Sequence, residues 1–579
     1  MRRLLPLAIV LSFAIASDAC ARRAAEPTVS LAELVRSYDR EVTPYYPLTA
    51  SEAGLRQYDR VLANDIGTEY RAGLRALCER YRRDLRRVDR SALNEQELLT
   101  RDIFEHRLDT CVEDLDLPWH LLPVNQVGSW PIRFPVLGMG RGAHPFRTVQ
   151  NYEDFLGRID GFVVWVETAI ANMRTGMARG LTQPRDAMLK VVPQLDAQIV
   201  EDPRASAFYE PLKNFPSPFD EGTRQRLTAR YVDAIEHKIV PTYRKLRAFI
   251  QDEYLPQCRS SHGLGALPGG RDLYRHAVRM STTTSLSSDE IFELGRRDVN
   301  RLQREMDALR AEIAAHRDPE PVVYRDVEAL LRGYAELRTS VEAALPKLFG
   351  RFPRAGFEVR PIEAFRDRSM PSSYQAGSVD GTRHGVFYLN TSELRAGGSA
   401  RVSRSLFLHE AVPGHHFQLM LQRENRTLPA FRRFAWYVAF GEGWGLYAES
   451  LGGELGAYQT RRDRLDALGG QWFRAARLVV DVGLHEKGWT RQQAIDFLGG
   501  RRENAEREVE RYMVWPGQAL GYHIGHLKIR ELRTKAETAL GASFDVRAFH
   551  DEVLKDGAMP LSILEAKMDR WIAAQRRNL

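Results

Sequence analysis

Apolar positions recur with a helical period along most of the chain. In "DVNRLQREMDALRAEI" the residues Val299, Leu302, Met306, Leu309 and Ile313 are spaced by 3, 4, 3 and 4 positions, which is the stripe of an amphipathic helix. Ser287 followed by Glu290 is a capping-box signal just before it. A second stripe runs through Val327, Leu330, Leu331, Tyr334, Leu337 and Val341, and the two together predict a long helical hairpin. Residues 30–260 also read as helix, with proline-broken loops such as "DLPWHLLPVNQ". The period changes near residue 355. "FEVRPI", "SMPSSYQAGS" and "HGVFYLN" are short, aromatic or β-branched, and separated by turn residues such as Asp380-Gly381, so they predict a small antiparallel sheet. "GGSARVSRSLFLHE" then re-enters helix, with Ser399 as the expected N-cap. The expected fold is mainly α, a large helical body with that small antiparallel sheet beside the next helix.

"SSHGLGALPGG", residues 260–270, reads as an internal boundary or exposed loop from its Gly, Ser and Pro content. It divides an N-terminal helical region, 22–270, from a second helical region, 271–579. Residues 1–21 read as a signal peptide: Arg2 and Arg3 precede an apolar run from Leu4 to Ala16, and small residues follow. Cleavage after Ala19 would leave Cys20 first, as in a lipoprotein. Ser17 and Asp18 fit a lipid-attachment box poorly, so a soluble exported chain is the other reading. A periplasmic or membrane-anchored location is expected, with any membrane contact through Cys20. No later segment has the ~18 consecutive apolar residues of a spanning helix.

The 579 residues carry 83 Lys+Arg and 76 Asp+Glu, a net charge of +7, mixed along the chain rather than blocked. That is a solvated surface and not a nucleic-acid footprint. The four cysteines, Cys20, Cys78, Cys111 and Cys258, form no CxxC metal site. One disulfide is available, and Cys78–Cys111 is one pairing.

The chemistry centres on "LHEAVPGHH", residues 408–416. The pattern begins like HExxH, in which two histidines four residues apart share one helix face and one zinc ion. Here Pro413 occupies the second histidine's position, and His415 and His416 follow six and seven residues after His409. On an unbroken helix seven residues climb ~10 Å, too far for two imidazoles to hold one ion. Pro413 breaks the helical hydrogen bond to His409, and Gly414 tolerates unusual backbone angles. A bulge over 411–414 would bring His415 to the second ligand position. Absorbing one more residue would bring His416 there instead; the first is favoured. Glu410 stands where a general base activates zinc-bound water. The competing reading is a proline-kinked core helix.

A third ligand is offered by "AFGEGWGLYAES". Glu442 lies among Gly441, Gly443 and Gly445, and glycines that each cost a helix ~1 kcal/mol imply a close neighbour. Glu449 is the reserve ligand, or a carboxylate that orients a histidine. In "WPGQALGYHIGHLKIREL" a helix is expected from Pro516, with Gly517, Gly521 and Gly525 forming a smooth face. Tyr522, and after it His523, are candidates for steadying an oxyanion. Tyr374 and the strand Val386–Asn390 are candidates for holding an extended peptide at a sheet edge. Arg383, Arg511 and Arg530 are placed where a substrate carboxylate could be met, although no basic cluster marks a clear pocket.

At "LHEAVPGHH", "GEGWGLYAES" and "PGQALGYHIG" the sequence resembles the bacterial family named domain of unknown function 885. "SYQAGSVDGTRHGVFYLNT" and "TTTSLSSDEIFELG" match weaker features of it. The resemblance covers most of the chain after the leader, with the specific motifs inside 370–530. The family looks like a distant relative of the helical gluzincin peptidases. That implies a saddle-like helical body with a deep cleft and a short substrate-binding strand. Positions 523 and 526, more usually Lys and Glu in the family, are His523 and His526 here. The expected activity is metal-assisted hydrolysis of short peptides: His409, His415 or His416, and Glu442 hold zinc, Glu410 is the base, and Tyr522 steadies the oxyanion. An amidase acting on a non-peptide or cell-wall-derived amide shares that chemistry. A non-catalytic binding protein on a decayed scaffold is the rival of another class.

Overall fold

The computed structural model describes residues 30–362, 371–379 and 383–577. The leader and Cys20 lie outside them. The chain is mainly helical, with one three-stranded sheet. Among the described residues no helix is long and apolar enough to cross a membrane.

The N-terminal helices α1 (Leu31–Val42), α2 (Thr68–Leu85) and α3 (Glu95–Asp116) do not pack only among themselves. Leu34, Tyr38, Leu77, Ile103 and Phe104 belong to the same apolar cluster as Phe407, Trp444, Ile524 and Met568. A separate cluster gathers around α4 (Val149–Ala178), where Phe134, Phe155, Phe162, Tyr231 and Tyr243 pack together. Cys78 on α2 and Cys111 on α3 are joined by a disulfide.

Residues 260–270 form a connection with exposed positions, Ser260, Gly265, Ala266, Pro268 and Gly269, and buried anchors between them. Leu264 and Leu267 are buried, and the Leu264 amide donates to His485 Nδ1 at 3.0 Å. Next come α5 (Gly270–Thr282), α6 (Ser288–His316) and α7 (Val327–Ala344). Ser287 and Glu290 cap α6 reciprocally, and Leu302, Met306, Leu309 and Ile313 are buried along its stripe. The expected hairpin does not form. α6 lies along α11 (Arg461–His485) instead of α7, because its stripe finds a longer apolar partner there.

The sheet is mixed, not antiparallel. Strands β1 (Phe357–Pro361), β2 (Ser373–Gln375) and β3 (Gly385–Leu389) stand in the order β1-β3-β2, with β1 parallel and β2 antiparallel to β3. More than twenty residues separate β1 from β3, enough for the return that parallel pairing needs. Since β3 is central, both its edges are taken and it cannot add a peptide.

Beyond the sheet, α8 (Arg404–Glu410) is capped by Ser403, whose hydroxyl accepts from the Leu406 amide, and not by Ser399. Then follow α9 (His415–Glu424), α10 (Val438–Ser450), α11, α12 (Arg502–Val514) and α13 (Leu520–Leu540). α13 starts at Leu520 rather than Pro516, because Gly517 has φ +76° and interrupts the helix. α10 and α13 touch backbone to backbone. A Cβ on Gly525 would lie 1.8 Å from the Ala439 carbonyl oxygen, and one on Gly443 would lie 2.5 Å from Gly525 Cα.

Candidate metal centre

α8 stops at Glu410 and α9 starts at His415, and the four residues between them form a non-helical turn. Only glycine fits at 414, since a Cβ there would stand 1.9 Å from the His409 carbonyl oxygen and 2.3 Å from that of Leu408. The turn is pinned to α10 by Trp444, whose indole N–H donates to the Pro413 carbonyl at 2.8 Å. This turn separates the two late histidines. His415 comes beside His409, with ring centroids 4.7 Å apart. His416 faces the sheet, its Nδ1 2.8 Å from the Tyr374 hydroxyl and its ring against Phe357.

Glu442 on α10 completes the group. One of its carboxylate oxygens, Oε2, lies 3.4 Å from His409 Nε2 and 3.4 Å from His415 Nε2. All three donor atoms fall within 4.8 Å of one another. A charge-assisted hydrogen bond would be about 2.7–2.9 Å, so 3.4 Å is long for direct pairing. Two ligands at about 2.0–2.1 Å from one tetrahedral zinc are roughly 3.3 Å apart. The two histidines and one carboxylate therefore fit a zinc ion in donor type, number and separation.

The surroundings orient the ligands. Glu449 Oε1 is 2.8 Å from His409 Nδ1, which directs the Nδ1 proton to the carboxylate and leaves Nε2 free to ligate. Glu449 thus meets His409 at Nδ1 while Glu442 meets it at Nε2, and Arg474 donates to Glu449 at 3.1 Å. Burial lowers the His409 pKa, but Glu442 and Glu449 override it and push it up to about 10. Burial raises that of Glu442, and the two histidines outweigh it, holding the carboxyl well below its usual range. Glu410 is 8% exposed, and burial raises its pKa against the opposing pull of His409 and His415.

The sequence pattern of the bacterial proteins of unknown function called DUF885 matches residues 47–568. The chain belongs to this family. A solved structure of a proposed lipoprotein from Colwellia psychrerythraea is similar over 94% of this chain and 99% of its own, with 25% identity and a TM-score of 0.85. A proposed lipoprotein of unknown function from Shewanella oneidensis shares the fold at a TM-score of 0.66 and 17% identity, over 93% of this chain and all of its own. No curated protein matches the chain.

In this DUF885 member the remaining candidates divide. Tyr522 stands at the centre: its ring is parallel to that of His409 at 6.4 Å, and it is bonded to Gln518. Burial and the Glu442 charge raise its pKa, keeping the hydroxyl protonated as a donor. His523 points the other way, its Nε2 2.6 Å from Asp298 on α6. The Tyr374 hydroxyl is engaged by His416. Two neighbours carry no mark in the sequence. Arg474 is one arginine among many, and Trp436 stands 43% exposed with its ring 5.6 Å from His415.

Proposed function

We propose that this protein is an exported zinc hydrolase of the peptidase type, cleaving amide bonds in short peptides. The observation that carries the reading is the convergence of His409 Nε2, His415 Nε2 and the Glu442 carboxylate, with the buried acid Glu410 next in the chain to His409. These three side chains would hold the ion. When bound, zinc in such a site lowers the pKa of water and polarises a carbonyl.

Glu410 takes the proton of the attacking water and passes it to the departing nitrogen. Its burial favours the protonated carboxyl that this transfer passes through. Tyr522 offers a hydroxyl donor to the developing oxyanion. Glu449 and Arg474 keep the His409 ring in register. A buried carboxyl beside the ligands costs desolvation and adds nothing to a mere binding site, so Glu410 favours catalysis over the binding-protein reading. Export accords with the similar proposed lipoproteins and with the Cys78–Cys111 disulfide, a feature of oxidising compartments.

Zinc-loaded protein is expected to cleave members of a panel of two- to six-residue peptides. Glu410→Gln should keep its zinc and lose roughly 10²–10⁴ in kcat. Cleavage by Glu410→Gln at the wild-type rate, or by chelator-stripped protein, contradicts the reading.

A further inference from the structure

Next to Tyr522 stands a group of buried charges that the hydrolytic step does not use. Arg477 of α11 gives Nε to the Tyr512 hydroxyl at 3.0 Å and Nη2 to Glu508 Oε2 at 3.1 Å. Arg511 of α12 gives Nη2 to the same oxygen at 2.9 Å and Nη1 to Gln518. The Tyr512 hydroxyl donates to that oxygen as well, at 2.7 Å. Two guanidiniums thus share one carboxylate, which leaves one positive charge in excess. Asp481 also senses Arg511, but it is bonded to the Tyr274 hydroxyl and the Gly517 amide. Arg477 Nη1 is buried without a hydrogen-bond partner. A buried cation without its full complement of anions is costly, so the group is built to receive one more.

Position and chemistry say which anion. The Arg477 guanidinium carbon is 4.6 Å from the centroid of the Tyr522 ring, and that ring is 6.4 Å from the ring of His409. The Arg477 guanidinium is therefore no further from the His409 ring than about three residues of extended peptide, at ~3.3–3.6 Å each, and Arg511 shares Glu508 Oε2 with it. Arg511 is the member that solvent reaches, with 16% of its side chain exposed, while Arg477, at 9%, supplies charge from behind. A planar guanidinium fork matches a carboxylate. The carboxylate that every peptide carries, whatever its side chains, is its C-terminus.

We propose that Arg511, backed by Arg477, binds the C-terminal carboxylate of the peptide, so that the enzyme removes one to three residues from a free C-terminus. This rests on the hydrolytic reading of the metal centre. The test is binding, measured without turnover, on zinc-loaded Glu410→Gln protein titrated calorimetrically with tetra-alanine and with its C-terminal amide. The free acid is expected to bind at least tenfold more tightly. Adding Arg511→Gln, or independently Arg477→Gln should the first variant be unstable, is expected to shrink that preference below twofold with zinc retained. Equal affinity for acid and amide, no affinity for either, or a preference that survives both arginine variants overturns the proposal. Wild-type cleavage of acid and amide at one rate overturns this subsite and leaves the metal-centre reading standing. An arginine-dependent preference for the acid without any cleavage by the wild type keeps the carboxylate subsite and overturns the hydrolytic reading, together with the C-terminal trimming that rests on it.

Discussion

His415 and His416 are neighbours in sequence with separate surroundings. One joins His409 and Glu442, the other bonds Tyr374 under the sheet. The composition of the motif told that the helix must break between Glu410 and the histidines, because Pro413 and Gly414 stand there. Which histidine the break would deliver depends on the backbone angles of residues 411–414, and those are held by close contact with the end of α8 and by Trp444, 31 residues further along the chain. Glu442 was legible from its glycine setting, and Glu449 only as one of two roles. His523 was not, since its partner Asp298 lies 225 residues away. The residue-scale expectation is that His416→Ala keeps its zinc with less than about threefold change in affinity, while Glu449→Gln loses 10–100-fold, as removal of a ligand's orienting partner does. Competition with a fluorescent zinc chelator measures both. Zinc loss in His416→Ala with retention in Glu449→Gln would reverse their assignments.

At the scale of elements, local signals fix the cap of α6 but not that of α8, which is Ser403 and not Ser399. The capping box of α6 and the buried faces of α6 and α7 follow from spacing alone. What each face packs against does not, so α6 pairs with α11 rather than with its neighbour in the chain. Strand direction failed for the same reason: three short strands in a row read as successive hairpins, whereas β1 pairs with β3 across the intervening β2. The start of α13 is held by a long-range contact, Asp481 of α11 accepting from the Gly517 amide and the Tyr274 hydroxyl. Burial drives the Asp481 pKa up to about 7, against those two hydrogen bonds. An acid whose pKa is raised on folding contributes stability that is complete below its unfolded value near 3.8 and is lost as pH climbs through about 7. Asp481→Asn abolishes that dependence. The wild type's advantage in Tm over Asp481→Asn is therefore expected to shrink between pH 5 and pH 8, read by calorimetry at several pH values. An advantage that grows over this range would show that the carboxylate is stabilised in its charged form.

For the whole molecule, the candidate metal centre is assembled from α8, α9 and α10, with α11 and α13 as walls. The apolar cluster beneath them continues into the N-terminal helices α1 to α3. The mainly helical body was legible in the chain as a whole, because its apolar periods are long and strong. The joining of distant helices in one core was not, because periodicity names a buried face and never its partner. His409, His415 and Glu442 are proposed to form a single zinc site. Zinc stoichiometry decides it most directly, measured by mass spectrometry on wild type and Glu442→Gln after equal zinc loading and desalting, with circular dichroism confirming that both are folded. About one zinc per wild-type chain is expected, and less than about a tenth of that in folded Glu442→Gln. No retained zinc in the wild type, or equal zinc in both proteins, would contradict it.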